Sequence, residues 1–113
     1  IVNTVPFGAM WQEAAFRWRW RSYETAVAAI IAAPPEQQSV AAAAAGFGNG
    51  RVAIDRRGDQ THLFFYIAQA GDGHFTGYYY RPDGLPPQPG DFGGQWREVR
   101  QQRPYWYYCV SRP

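Results

Sequence analysis

The chain reads as an α+β protein of two layers, an N-terminal helix packed on a four-stranded antiparallel β-meander. Two observations predict it. Phe16, Trp20, Tyr23, Val27, Ile30 and Ile31 follow spacings of four, three, four and three, which place them on one stripe of a helix. Further on, Thr61–Ala68, Phe75–Tyr80 and Tyr105–Val110 are rich in aromatic and β-branched residues, with turn-forming Gly and Asp between the first two.

Residues 1–8 form a lead-in arm, in which Pro6 argues against a central strand. The helical region spans residues 9–45. Pro34 and Pro35 interrupt it, since proline donates no backbone N–H and clashes with the preceding turn, so the helix kinks or restarts there. Pro35 and Glu36 suit the first turn of a second short helix, Val40 and the Ala41–Ala45 run continue it, and Gly46 stops it. Strands are expected near Arg51–Arg56, His62–Gln69, His74–Arg81 and Trp96–Val110, the last with a weak point at Arg103-Pro104. Arg57-Gly58-Asp59 and Gly71-Asp72-Gly73 are turns, because Gly supplies positive φ and Asp bonds the local backbone. Residues 82–94, with four prolines and four glycines, form a long connection within the 51–110 sheet region.

Composition bounds the function. The 113 residues make one domain, and 46% hydrophobic with 18% aromatic content makes a packed core. A formal charge of +2 is too small to argue for nucleic acid or an anionic membrane surface. All eleven basic residues are Arg, which reads as coding bias except where they cluster. Cys109 is the only cysteine, so an intrachain disulfide is excluded. No apolar run reaches the roughly 18 residues a membrane span needs. The chain starts at Ile1, as a processed mature form or an excised fragment does, and this tips the compartment toward extracytoplasmic.

The strands hold the main clue to binding. A sheet with one wet face alternates apolar and polar residues, yet these strands are apolar or aromatic at odd and even positions alike. Strand parity groups Phe64, Tyr66, Tyr78, Tyr80, Trp106 and Tyr108 on one face, and Leu63, Phe65, Ile67, Tyr79, Tyr107 and Cys109 on the other. One helix layer covers one face. The other is either an aromatic contact surface or covered by Arg and Gln side chains and the 82–94 loop.

Other candidates are weaker. In Arg17-Trp18-Arg19-Trp20-Arg21 the basic and aromatic residues interleave, but on a helix they point in different directions; Trp20 belongs to the core stripe, whereas Trp18 and Trp11, seven apart, lie off it. Glu24 lies three residues after Arg21, as an intrahelical partner would. Gly46, Gly48 and Gly50 follow a helix and precede a strand, the wrong order for a phosphate loop. The prolines from Leu85 to Gly90 read as stiffening of a loop. His62 and His74 serve an enzyme only if one shares a cleft with a carboxylate. Two His and one Cys make no metal set, so no catalytic residue, metal or cofactor is assigned.

A long helix followed by an antiparallel meander resembles, in architecture, the globular part of type IV pilin-like subunits. The chain departs from that pattern in lacking an apolar N-terminal half-helix with its acidic residue and a C-terminal disulfide loop, so no residue role is carried over.

The expected function is a non-enzymatic protein-interaction or assembly module, meeting a protein partner or its own copy through Trp11, Trp18, Tyr78, Tyr80, Trp106 and Tyr108. The alternatives are a pocket for a small apolar or sugar-like ligand flanked by Tyr23, Tyr79 and Tyr107, a pilin-like envelope subunit, and an enzyme using His62 or His74.

Overall fold

The computed structural model describes the backbone of residues 7–48 and 50–112, and the side chains of residues 19–48 and 50–112. Helix α1 runs Phe7–Ala32; a 3-10 turn at Pro35–Gln37 leads into α2, Gln38–Ala44; and five strands follow, β1 Val52–Arg57, β2 Gln60–Gln69, β3 Phe75–Tyr80, β4 Trp96–Arg103 and β5 Trp106–Ser111. The fold is α+β with an antiparallel sheet. Of the expected lead-in arm, residues 1–6 lie outside the described residues, and Phe7 and Gly8 already belong to α1.

Two details differ from expectation. The run from Trp96 to Val110 is two strands, because Pro104 cannot donate to a ladder and Tyr105 takes a left-handed φ of 73°. The sheet order is β1-β2-β3-β5-β4, so the chain is not a simple meander. The long connection after β3 carries β4 to the outer edge, and the tight Pro104-Tyr105 hairpin returns β5 to pair with β3.

Tyr23, Ala26, Val27 and Ile30 of α1 are buried, while Ile31, placed on the stripe by its spacing, is 45% exposed. The Phe16 side chain lies outside the described side chains. Gln38 joins the layers: its Nε2 donates to the Ile30 carbonyl at the end of α1, which also accepts from the Ala33 N–H at 3.2 Å, and to Thr61 Oγ1 on β2, each Nε2 bond at 3.3 Å. Helix α2 ends as its Gly46 predicts. Gly46 has φ 95°, its N–H donates to the Ala43 carbonyl and the Phe47 N–H to the Ala42 carbonyl, the paired bonds of a Schellman stop.

Both faces of the sheet are covered, and register decides which rings share a face. Phe65 pairs with Tyr78 and Tyr78 with Tyr108, whereas Phe64 pairs with Tyr79 and Tyr79 with Tyr107. This corrects the grouping by parity, which put Phe64 and Tyr66 with Tyr78, Tyr80, Trp106 and Tyr108; a one-residue difference in register exchanges faces. Under the helices, Leu63, Phe65, Tyr78 and Trp106 pack with Tyr23, Val27 and Ile30. On the opposite face Phe64, Tyr79, Tyr107 and Cys109 pack against Phe92 of the β3–β4 connection and Trp96 at the start of β4. Trp96 stacks on Phe64 with ring centroids 5.7 Å apart and planes 13° from parallel.

Candidate aromatic groove between helix and hairpin

The β4–β5 hairpin closes with two residues, Arg103 pairing directly with Trp106. Pro104 followed by a residue of positive φ is the order of a type II turn, whose third position favours Gly or Asn. Tyr occupies it here at φ 73°, a conformation that costs an L-residue roughly 1–2 kcal/mol. The Tyr105 carbonyl accepts from the Arg81 N–H at 2.9 Å, which fixes the turn to the end of β3.

This turn stands beside α1 and leaves an open groove of about 370 Å³ lined by Trp20 and Glu24 of α1, Tyr80 of β3, and Arg103, Tyr105 and Trp106 of the hairpin. Tyr80 and Trp106 face each other across the β3–β5 pairing with centroids 5.3 Å apart. Tyr105 adds a third ring 6.5 Å from Tyr80 and is 47% exposed. The Arg103 guanidinium lies 4.1 Å over the Trp20 ring, a cation–π contact that shields one face of the indole. The Trp20 indole N–H has no hydrogen-bond partner among the described residues. Burial first, then the charge of Glu24, raises the Tyr80 phenol above its ordinary pKa, so it keeps its proton and remains a donor. The groove thus offers flat aromatic walls, one carboxylate and one guanidinium.

Of the six residues expected to bind, the structure brings Tyr80 and Trp106 together at this groove. Tyr78 is buried beneath α1, in ring contact with Tyr23. Tyr108 is half-buried toward the β4 side, with the Arg100 guanidinium 5.1 Å over its ring. Trp11 and Trp18 lie outside the described side chains. The sequence placed Trp20 on the core stripe, and it packs against that core from a half-buried position beside the groove, whereas Arg103 and Tyr105 were missed. The Pro-Tyr pair at the weak point of the last strand was the available signal, since a turn there must expose its second residue.

The other expected constellations resolve into packing. Tyr23 lies on the helix-covered face, whereas Tyr79 and Tyr107 lie on the other, so these three do not flank one pocket. His62 is 1% exposed; its Nδ1 meets the Tyr79 hydroxyl at 3.0 Å and its Nε2 faces Gln60 Oε1 at 3.4 Å. The Tyr79 hydroxyl donates to Asp91 Oδ2 at 3.1 Å, which makes His62 Nδ1 the donor to Tyr79. Burial, with Arg57 and Arg81 adding to it, lowers the His62 pKa and keeps the ring neutral. Asp91 also accepts from Arg57 Nη2 at 3.0 Å, Arg81 Nη1 at 3.3 Å and the Gln88 N–H at 2.8 Å. The carboxylate that His62 reaches through Tyr79 is therefore a buried anchor for the loop. His74 sits at the turn before β3, its own N–H bonded to Asp72 Oδ1 at 3.0 Å. Cys109 is fully buried, and burial pushes its thiol pKa up. Arg21 and Glu24 form no ion pair among the described residues.

Among the described residues no group of three His, Cys, Asp or Glu could hold a metal ion, and no helix is long and apolar enough to cross a membrane. Comparison with known proteins found no matching family model, curated protein or solved structure.

Proposed function

We propose that the chain is a non-enzymatic recognition module that takes a side chain of a protein partner, or of a second copy of itself, into the groove between α1 and the β4–β5 hairpin. The observation that carries the reading is Tyr105, held at φ 73° and 47% exposed beside Tyr80 and Trp106. A strained backbone that leaves about half of a ring exposed gains little from packing, whereas backbone strain is common where a site has been shaped. Tyr, Trp and Arg are also the residues that dominate interface energetics, and here they sit on a two-residue hairpin that loses little freedom on binding.

The test combines light scattering over a concentration range with selection of displayed peptides on the immobilised domain. Expected is either self-association or a family of enriched peptides, in each case lost on Tyr105→Ala and Arg103→Ala. A strict monomer that enriches no peptide sensitive to these two changes would overturn the proposal.

The same walls favour a second reading, a small ligand with a flat apolar face such as a sugar ring. The groove's volume of about 370 Å³ is near the lower end of small-molecule sites. Quenching of Trp fluorescence by monosaccharides, lost on Tyr105→Ala, would favour it over a polypeptide partner.

A further inference from the structure

On another flank of α1 lies a second cleft, of about 340 Å³, bounded by Arg19, Ser22 and Tyr23 of the helix, Phe47 and Arg51 of the α2–β1 connection, and Tyr66 of β2. Two guanidinium groups line it and no acidic residue does. Neither Arg19 nor Arg51 takes part in a salt bridge among the described residues. Arg51 is held in place: its Nη1 donates to the Gly46 carbonyl at 3.2 Å and its guanidinium lies 5.7 Å over the Phe47 ring. The glycine turn thus serves an anion-attracting site through a carbonyl that orients an arginine, and not through the backbone N–H groups of a phosphate loop. Arg19 reaches the same cleft from the helix, one turn before Tyr23. Burial raises the Tyr23 phenol, and both arginines act against that rise, so both charges are felt at one point of the cleft.

We infer that this cleft binds a small aryl oxyanion, an aromatic carboxylate or phosphate monoester, with Arg19 and Arg51 on the anionic group and the rings of Tyr23 and Phe47 beside the aryl body. Tyr66 borders the cleft through its backbone, whose N–H donates to the Arg51 carbonyl, while its ring packs on Phe64 and Phe75 across the sheet. Planar guanidinium forks match carboxylate and phosphate oxygens through paired charge-assisted hydrogen bonds. Aromatic walls add stacking area that a bare inorganic ion cannot use. The site is separate from the groove at the β4–β5 hairpin and does not depend on its function.

The experiment is an NMR titration following the side-chain Nε–H signals of Arg19 and Arg51, with phenyl phosphate, benzoate, inorganic phosphate and neutral benzamide as probes. Expected are saturable shifts at both arginines with benzoate or phenyl phosphate, the tighter of the two identifying the preferred anion. Arg19→Gln and Arg51→Gln, both at exposed positions, should each weaken binding by about tenfold or more, the loss of one charge-assisted hydrogen bond. The equally basic control Arg97→Gln should leave affinity unchanged, and circular dichroism of each variant reports that the fold is kept. The inference is overturned if no probe gives a saturable shift, if benzamide or inorganic phosphate binds as well as the aryl anions, or if binding survives both substitutions.

Discussion

On the helix-covered face of the sheet, Tyr23 meets the rings of Phe47, Phe65, Tyr78 and Trp106 at centroid distances from 5.2 to 5.8 Å, and Phe47 meets Phe65 at 4.9 Å. On the loop-covered face, Phe64, Tyr79, Phe92 and Trp96 pack similarly, but around a buried carboxylate that receives two arginines, a phenol and a backbone N–H. The difference follows from what covers each face. Helices α1 and α2 satisfy their own backbone and bring apolar side chains, so rings alone complete the layer. The β3–β4 connection has no such ladder; its polar groups must be satisfied where it crosses the sheet, and Asp91 and Arg81 do this. Arg81 Nη1 also donates to the Pro86 carbonyl at 2.9 Å, and its guanidinium grips Asp83 through Nε and Nη2 at 2.9 and 2.8 Å. One face is therefore sensitive to shape and the other to charge.

The largest effect expected from that contrast is Asp91→Asn. The Arg81 side chain is only 6% exposed, and the substitution leaves its cation without the Asp91 half of its compensation while the shape is nearly unchanged. Breaking a buried pair by removing one partner costs about 3–5 kcal/mol, and the retained Asp83 contact points to the lower end. Urea unfolding monitored by fluorescence checks this; a loss under about 1 kcal/mol would mean the loop face is held by its rings alone.

Gly77→Ala strikes the sheet between the two faces. An added Cβ would run into the Phe65 carbonyl oxygen and come within 2.5 Å of Phe64 Cε1. Backbone on β2 cannot move without loosening the β2–β3 ladder, so destabilisation of about 3 kcal/mol is expected, the upper part of the range for overpacking. Because Phe64 and Phe65 point to opposite faces, probes on both should report the same loss.

Acid should weaken the loop face selectively. The Arg81 guanidinium holds the Asp83 pKa down at about 2, and Asp91 is also depressed, burial being outweighed by the Gln88 N–H, Arg57 and Tyr79. A carboxylate with a folded pKa below its unfolded value of about 4 contributes stability present above that value and lost as pH falls toward 2. His62 adds loss in the same direction: its folded pKa is lowered, so the unfolded chain takes up the proton first, and stability begins to fall as pH drops through about 6.5. Urea midpoints should fall steadily from pH 7 to pH 3, and the fall should be shallower in Asp91→Asn. A flat profile would contradict the charge-based account of this face.

Tyr23→Phe sharpens the comparison from the other side. It keeps every ring contact on the helix-covered face and removes only a hydroxyl that feels the Arg19 charge, so a change below about 1 kcal/mol is expected in the same urea assay. A larger loss would show that this face too depends on a polar bond.

How far the sequence disclosed all this varies by element. The spacing of Trp20, Tyr23, Val27 and Ile30, the double proline and Gly46 are local signals with direct structural meaning, and the helical region follows them. The two-sided aromatic strands pointed to a second face either covered within the domain or offered as a contact surface, and it is Phe92 and Trp96 that cover it. Register was not legible, because it is fixed by pairing across the chain: Phe65 opposite Tyr78, and not Phe64, decides which rings meet. The Asp91 hub draws on residues from position 57 to position 91, and no spacing signals such a convergence. The groove was half legible. Tyr80 and Trp106 stood out as strand aromatics, but their meeting with Tyr105 needs the chain to turn at Pro104 and β5 to return beside β3.

The smallest expected effect on stability is that of Tyr105→Gly, and it bears on whether the groove is separable from both packed faces. Glycine adopts the left-handed φ of 73° without the penalty a side chain incurs, a gain of about 1 kcal/mol. Against it stand the greater flexibility of glycine in the unfolded chain, roughly 0.5–1 kcal/mol, and the loss of a ring that is half exposed and lies against Gly84, where an added Cβ would sit 3.3 Å from Tyr105 Cε1. The terms nearly cancel, so the urea midpoint should move little while partner binding through the groove is lost. A drop of more than about 2 kcal/mol would instead place the Tyr105 ring in the domain's own packing, comparable to a buried aromatic, and would leave the groove without the exposed wall on which its recognition role rests.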